Sequence, residues 1–291
     1  MDNLERRTVL RGAALTALGL GTAAALPGTA AADAGHGHHA HGSRGRIPRG
    51  SISIQLYTLR DMLAADLDGT LAALAAIGYR KVEAAGTHGR TAAEFRAALD
   101  RAGLHATSGH VSVGDGWQRT LADARVLGHR YVVHPWANFA TADEWRRFAD
   151  RLTAAGAAAR AAGLRFGYHN HAHEFERLPT GERPFDIITA TDPRLVHLEL
   201  DLYWAVTAGA DPVALLREHG RRVLQLHVKD RAADGSFADV GTGTIDFRRI
   251  FTAACRSGVS EYIVERDTQP DPLRTARVGF EYLRTVRFPR R

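Results

Sequence analysis

Short apolar runs alternate with longer amphipathic segments along the chain from residue 51 onward. The runs are four to six residues long and mostly rich in β-branched and aromatic residues, which is typical of buried parallel strands. They predict eight strands, over residues 51–56, 81–85, 105–110, 131–134, 165–170, 196–201, 223–228 and 262–265.

The segments between the runs are rich in Ala, Leu and Arg and predict helices, for example over residues 92–102 and 143–162. Many end at a glycine, as helices often do: Gly78, Gly103, Gly128, Gly163, Gly220 and Gly258. Eight such units in about 235 residues predict an α/β fold, a single-domain (β/α)8 TIM barrel over residues 51–286. An open doubly wound sheet is disfavoured, because Tyr57-Thr-Leu-Arg-Asp61 follows the first strand where that fold places a glycine-rich turn.

The first 34 residues have the composition of an export signal. Arg6 and Arg7 precede an apolar stretch over residues 12–26, and Ala30-Ala31-Ala32 follows as a small-residue cleavage site. The pattern resembles a twin-arginine signal peptide over residues 1–34. Because the apolar stretch is too short to span a bilayer, we expect an exported protein, periplasmic or extracellular, with no stable membrane anchor after processing.

Residues 35–50 are rich in Gly, His and Arg and contain one isolated apolar residue, Ile47. They predict a flexible linker, and residues 287–291 predict a basic tail. Whether the four linker histidines bind metal is open, since no rigid element presents them.

Net charge and cysteine content narrow the functional classes. The net charge is +6. Residues 1–50 contain six arginines and three acidic residues and contribute three positive charges, and Arg287, Arg290 and Arg291 contribute the other three. Residues 51–286 are therefore neutral overall. A neutral body argues against nucleic-acid binding. Cys255, the one cysteine, excludes an intramolecular disulfide and a cysteine-rich zinc site.

Titratable residues collect at the predicted C-terminal ends of the strands, where the active sites of TIM barrels lie. Because side chains alternate along a strand, residues two apart, such as His227 and Lys229, point the same way. Charged groups therefore converge on one volume, and leaving each buried and unpaired would cost several kcal/mol. The residues are Glu83, His110, His134, His169, His171, Glu199, Asp201, His227, Lys229, Glu265 and Asp267.

A divalent cation would offset that cost. His169, Asp201, His227 and Glu265, from predicted strands 5 to 8, form a nitrogen and oxygen ligand set without sulfur. Such a set suits Mn²⁺, our first candidate, or Co²⁺, Mg²⁺, Fe²⁺ or Zn²⁺.

Five motifs carry a family resemblance: Tyr168-His-Asn-His171, Leu200-Asp-Leu-Tyr-Trp204, Leu226-His-Val-Lys-Asp230, residues 240–246 and residues 262–267. In this order they resemble the sugar phosphate isomerase/epimerase family, with its xylose-isomerase-like TIM barrel. In ketose 3-epimerases of that superfamily, strands 5 to 8 supply Glu, Asp, His and Glu to the metal, and both glutamates move the proton. Asp201, His227 and Glu265 match this pattern, whereas His169 replaces the first glutamate.

The resemblance implies a metal-dependent sugar isomerase or epimerase that removes a proton next to a carbonyl and forms an enediolate. Glu265 or His171 is the expected base. Lys229, one of only two lysines among 38 basic residues, is expected at the substrate oxyanion. Further expected substrate-binding residues are Glu83, His110, His134, Trp136 and Trp204.

Three alternatives follow. Because His169 removes one carboxylate base, the enzyme is alternatively a lyase or dehydratase acting on 3-oxo-sugars or 3-oxo-glycosides. The protein is alternatively a non-catalytic secreted sugar- or metal-binding protein. A DNA-repair nuclease resembling endonuclease IV is excluded, because Trp204 stands where that family needs a histidine ligand. The expected partner is a small carbohydrate, and self-association into a homo-oligomer is left open.

Overall fold

The computed structural model of the chain describes residues 44–289. The predicted signal peptide and residues 35–43 of the predicted linker lie outside the described residues. Within them, eight parallel strands, numbered β1 to β8, form one sheet in the order β1-β8-β7-β6-β5-β4-β3-β2. The strands are Ile52–Ile54, Lys81–Ala85, His105–His110, Tyr131–His134, Arg165–His169, Val196–Asp201, Val223–Val228 and Glu261–Val264.

A parallel bridge between Gln55 and Glu83 joins the first strand to the second and closes the sheet. Ten α-helices, α1 to α10, accompany the strands in the described part of the chain. They are Arg60–Ala65, Leu67–Ile77, Ala92–Ala102, Trp117–Leu127, Ala142–Ala161, Pro184–Thr189, Leu202–Thr207, Pro212–His219, Phe247–Ser257 and Pro272–Thr285. The predicted (β/α)8 TIM barrel is therefore confirmed.

Local sequence signals set the ends of several helices. Thr91 and Glu94 form a capping box at the start of α3, and Thr141 and Glu144 form another at the start of α5. Gly103 follows α3 in the left-handed conformation, which glycine adopts without steric cost. The predicted bounds of α3 match the structure, whereas α5 begins and ends one residue earlier than predicted.

Apolar side chains fill the layer between the sheet and the helices, and polar side chains fill the inside of the barrel. In the lower half of the barrel, the Nζ atom of Lys81 lies 3.1 Å from the Oε1 atom of Glu261, and the Gln225 amide donates to the other oxygen of Glu261. Glu83 contacts His227 from across the barrel. A TIM-barrel interior usually consists of bulky apolar residues, so this interior is adapted to hold polar groups.

The end of the predicted linker does not behave as a linker. Arg44–Gly45 pairs antiparallel with Phe288–Pro289, and Ile47 is buried in the same apolar core as Phe288. Residues 44–50 are thus part of the folded body, and residues 287–289 are not a free tail. The reason is that Ile47, isolated along the sequence, meets apolar partners supplied by distant segments. In the described range, no helix is both long enough and apolar enough to cross a membrane.

Candidate active site and metal centre

A cavity of about 450 Å³ opens at the C-terminal ends of the strands. Its floor and walls carry mostly polar and aromatic groups. They are Tyr57, Ala85, His110, Pro135, Trp136, His169, His171, Lys229, Glu265 and Asp267. A larger groove of about 870 Å³ lies along α8 and α9, but no residue that lines it belongs to the predicted site.

Four buried side chains meet at the floor of this cavity, and we name them the upper cluster: His169, Asp201, His227 and Glu265. One ligand atom from each lies within 4.8 Å of those of the others. The Nε2 atom of His169 is 3.1 Å from the Oδ2 atom of Asp201, and the Nδ1 atom of His227 is 2.6 Å from the Oε2 atom of Glu265. The predicted ligand set is therefore brought together.

Neighbouring groups orient two of these residues. The Nδ1 atom of His169 lies 3.1 Å from the carbonyl oxygen of Pro135, which leaves Nε2 to face the cluster. The Oδ1 atom of Asp201 accepts the backbone N–H of Trp204 at the start of α7, so Oδ2 remains available. Such hydrogen bonds fix the orientation of metal ligands in proteins.

Lys229 ties three carboxylates together. Its Nζ atom lies 3.1 Å from Asp201, 2.8 Å from Glu265 and 2.8 Å from Asp267. Burial opposes ionisation of Asp201, but Lys229 and His169 together bring its pKa down to about 2. Burial and the charge of Glu265 raise the pKa of Asp267 to about 6. Asp267, at the rim, is thus the carboxylate of this group that exchanges its proton nearest to neutral pH.

His171 lines the cavity beside the upper cluster. Its ring stands edge-on to His169, with ring centroids 4.9 Å apart, and its Nδ1 atom has no hydrogen-bond partner among the described residues. Burial, with the neighbouring charges of His169 and Lys229, lowers the pKa of His171 to about 2. The ring is therefore neutral at ordinary pH and is suited to accept a hydrogen bond.

A second set of groups, three of them buried and His110 partly exposed, lies on the other edge of the His227 ring, and we name it the lower cluster: Glu83, His110, Glu199 and His227. The Nε2 atom of His227 is 2.7 Å from Glu83 and 3.0 Å from Glu199. Burial, followed by the charge of Glu199, raises the pKa of Glu83. The sequence showed that these residues stand near strand ends, but not that they meet around one ring.

The residues predicted to bind substrate occupy different places. His110, Trp136 and Lys229 line the cavity. Glu83 is fully buried below it and accepts hydrogen bonds from Gln55 and Ser108.

The two remaining predicted substrate-binding residues do not line the cavity. Trp204 lies behind His171, with ring centroids 5.4 Å apart. His134 packs against Phe148 and Tyr168 and accepts the N–H of Val113, so the structure does not bring it to the cavity.

Sequence reasoning gave no role to two residues that line the cavity, Tyr57 and Asp267, although it placed Asp267 among the converging titratable residues. Asp267 had a signal, because it stands two residues after Glu265 and the strand alternation predicts the same direction. Tyr57 had no such signal, since it lies after the predicted end of the first strand, where strand alternation no longer predicts the direction of a side chain.

A closed eight-stranded barrel with clustered imidazoles and carboxylates at the strand ends defines a TIM-barrel protein with a candidate metal centre. The chain belongs to the xylose isomerase-like TIM barrel family, whose family model matches residues 71–286.

Comparisons with individual proteins agree with this family. An inosose dehydratase from Clostridium beijerinckii is 30% identical over 151 residues, which cover 44% of this chain and 49% of that protein. The chain thus spans about half the length of the inosose dehydratases it matches. The rhizopine catabolism protein MocC of Rhizobium meliloti is 26% identical over 265 residues, 75% of this chain and 80% of MocC. A solved sugar phosphate isomerase/epimerase from Parabacteroides distasonis superposes with a TM-score of 0.73 at 29% identity, over 81% of this chain and 98% of that one.

Proposed function

We propose that the protein is a divalent-metal-dependent enzyme that removes the proton next to the carbonyl of an oxidised sugar or cyclitol. The observation that carries this proposal is the upper cluster, four buried ligand groups that converge at the floor of an open cavity. Buried carboxylates and imidazoles in such an arrangement fit a divalent ion. When bound, that ion would supply Lewis-acid stabilisation for the negative charge that develops on the substrate oxygen.

Our candidates for the group that accepts the substrate proton are two carboxylates, Glu265 and Asp267. Both line the cavity and both pair with Lys229. Glu265 is also a member of the upper cluster, whereas Asp267 is not. Lys229 holds the two groups in place, and the neutral ring of His171 is available to accept a hydrogen bond from a substrate hydroxyl.

Elimination is the outcome that the arrangement favours. Epimerisation by two bases needs a proton acceptor on each face of the substrate, but both cavity carboxylates follow β8, whereas β5 and the residues after it supply the imidazoles of His169 and His171. Burial lowers the pKa of His171 to about 2, so its ring is a weak base. A single group suffices for loss of water or of a sugar substituent if it takes the C–H proton and then returns it to the departing oxygen. The inosose dehydratases among the relatives support the same outcome.

Isomerisation or epimerisation is the second candidate. It is favoured by the solved sugar phosphate isomerase/epimerase, which superposes over most of the chain. The two outcomes share the first step, so they differ only in where the proton and the leaving group go.

Proton exchange with solvent tests the shared step. Metal-loaded protein is incubated in deuterated water with free ketoses, inososes and 3-oxo-glycosides, and the products are followed by NMR after the metal is removed. An unsaturated product indicates a dehydratase or lyase, and a stereoisomer indicates an epimerase. Tight binding of a sugar without any C–H exchange would contradict the proposal and favour the non-catalytic binding protein.

Two variants locate the base. Asp267→Asn should keep the metal and lose about 10²- to 10⁴-fold of the exchange rate if Asp267 accepts the proton. Glu265→Gln should lose metal as well as exchange, because Glu265 is also a ligand. If Asp267→Asn exchanges at the unmodified rate, the base is Glu265 or His171.

We also propose that the enzyme is exported through the twin-arginine route, on the strength of Arg6, Arg7 and the apolar stretch that follows. Residues 1–50 fused to a folded reporter should direct it out of the cytoplasm. Replacing Arg6 and Arg7 by lysine should stop that export, and unchanged export would contradict the route.

A further inference from the structure

We propose that the lower cluster is a second, structural divalent-metal site that shares His227 with the upper cluster. Its four ligand groups are Glu83, His110, Glu199 and His227. The site rests on geometry, charge and burial inside the barrel, and it does not depend on which reaction the cavity catalyses.

Four ligand atoms of this cluster lie close enough together to surround one ion. The Nε2 atom of His110 lies 3.4 Å from Glu83 and 2.8 Å from Glu199, and the Nε2 atom of His227 lies 2.7 Å from Glu83 and 3.0 Å from Glu199. In a tetrahedral site with metal–ligand distances near 2.1 Å, neighbouring ligand atoms are about 3.4 Å apart. Three of these four distances are shorter than that spacing, so the groups would move apart by about 0.4–0.7 Å to hold the ion.

The charge balance gives an independent argument. Within the described residues, Lys229 is the one permanent cation that pairs with the carboxylates of the two clusters and Asp267. Together with a divalent ion in the upper cluster, Lys229 offsets Asp201, Glu265 and Asp267. Glu83 and Glu199 remain, both fully buried, and a second divalent ion matches their two charges.

One oxygen of this pair has no partner. The Oε2 atom of Glu199 is buried and makes no hydrogen bond to any described residue. A buried carboxylate oxygen without a donor is costly, because burial removes water without replacing its hydrogen bonds. The Oε1 atom of Glu199 is the one that faces His110 and His227, so an ion would offset that cost only if both oxygens of the carboxylate bind it.

His227 connects the two sites. Its Nδ1 atom faces the upper cluster and its Nε2 atom faces the lower cluster. Metal ligands must be deprotonated, so filling both sites would require the ring to lose both N–H protons and would add one negative charge to the two clusters. Two nitrogen and two oxygen ligands suit Zn²⁺, and three of them belong to buried side chains while the fourth, His110, lies at the cavity wall.

Metal stoichiometry tests the site. The full chain is stripped with a chelator and equilibrated with Zn²⁺ alone at neutral pH, and bound metal is measured by dialysis and elemental analysis. Glu199→Gln removes a ligand of the lower cluster, and Asp201→Asn removes a ligand of the upper cluster as the matched control. The Glu199→Gln/Asp201→Asn double variant keeps the linker histidines and gives the baseline.

The unmodified protein should bind two more equivalents than the double variant, and each single variant should bind one more. Zn²⁺ should also raise the Tm of Asp201→Asn, but should raise it much less in the double variant. Glu83→Gln should behave as Glu199→Gln does, which covers the case in which Glu199→Gln does not fold.

Other results separate this site from the upper one. If the unmodified protein and Glu199→Gln each bind one more equivalent of Zn²⁺ than the double variant, the lower site does not exist. The upper cluster then still binds the ion that the proposed function requires. If Asp201→Asn binds as much Zn²⁺ as the unmodified protein while Glu199→Gln binds one equivalent less, the lower site is supported. The same result contradicts the metal ion at the upper cluster on which the proposed function rests.

Discussion

Lys229 is the residue on which the electrostatics of the site depend most. It is 2% exposed, and its ammonium group lies between three carboxylates. A buried charged group that loses its partner is left uncompensated, and the cost exceeds the small net gain of a surface ion pair. The stability of the metal-free protein should therefore depend on this one side chain.

Replacing Lys229 by methionine keeps the length of the side chain and removes its charge. We expect Lys229→Met to lower the free energy of unfolding of the metal-free protein by about 3–5 kcal/mol, measured by urea denaturation at pH 7. Lys81→Met is the matched control, because the other lysine is partly exposed and pairs with Glu261 alone. A loss for Lys229→Met no larger than that of the control would show that the three carboxylates need no cation.

Buried neutral histidines make the protein sensitive to acid. Burial lowers the pKa of His197 to about 4, while a histidine in the unfolded chain has a pKa near 6.5. Between these values the unfolded state binds more protons, so stability is present above pH 6.5 and is lost as the pH falls towards 4. His197 alone accounts for about 3 kcal/mol across this window.

We therefore expect His197→Gln to reduce the slope of stability against pH between pH 6.5 and 4. The measurement is urea unfolding at several pH values in that window. His105→Gln is the control, since His105 is exposed on the barrel and should leave the slope unchanged. Equal slopes for His197→Gln and the unmodified protein would contradict this explanation.

At the scale of elements, α5 shows how packing overrides helix propensity. Gly156 lies in the middle of this 20-residue helix and is buried against the loop before β6. Alanine is the better helix former, by about 0.5–1 kcal/mol. However, a Cβ atom at position 156 would collide with the backbone carbonyl of Leu195, which has little freedom to move.

Gly156→Ala should therefore lower the Tm, although propensity alone predicts a rise. Ala157→Gly at the neighbouring exposed position should cost about 1 kcal/mol, as propensity predicts. Thermal unfolding of both variants separates the two effects. A higher Tm for Gly156→Ala would mean that α5 moves away from Leu195 at little cost.

At the scale of the whole molecule, the segment before the barrel contributes to the fold. Ile47 is 5% exposed and packs into the same core as Phe288, and the neighbouring Arg44–Gly45 pairs with Phe288–Pro289. Burial of an isoleucine side chain stabilises a fold by about 1.5–3 kcal/mol. The N-terminal limit of the folded body therefore lies before residue 51.

Two truncations test this limit. Removing residues 1–43 should leave the Tm unchanged, whereas removing residues 1–50 should lower it. Ile47→Ala in the full chain should cost about 2–5 kcal/mol. Equal stability of the two truncated chains would show that the contact of Ile47 contributes nothing.

Much of the architecture was predictable from the sequence, because it depends on local patterns. The bounds of β2, β3, β4, β6 and β7 are those predicted, since short apolar runs between helical segments define a strand without reference to the rest of the chain. The upper cluster was predictable for a similar reason. Closing a parallel barrel brings all C-terminal strand ends to one rim, so residues such as His169 and Asp201 meet there in any (β/α)8 barrel.

Tertiary structure alone decided how deep each side chain lies inside the barrel and which side chains meet across it. Glu83 and His227 are 144 residues apart and lie within hydrogen-bond distance, because the closure and stagger of the sheet place them at one level. His134 ends its strand as His169 does, yet packs against α5 rather than in the cavity. Alternation tells which face of a strand a residue occupies, whereas the partner across a closed barrel depends on the register of all eight strands at once.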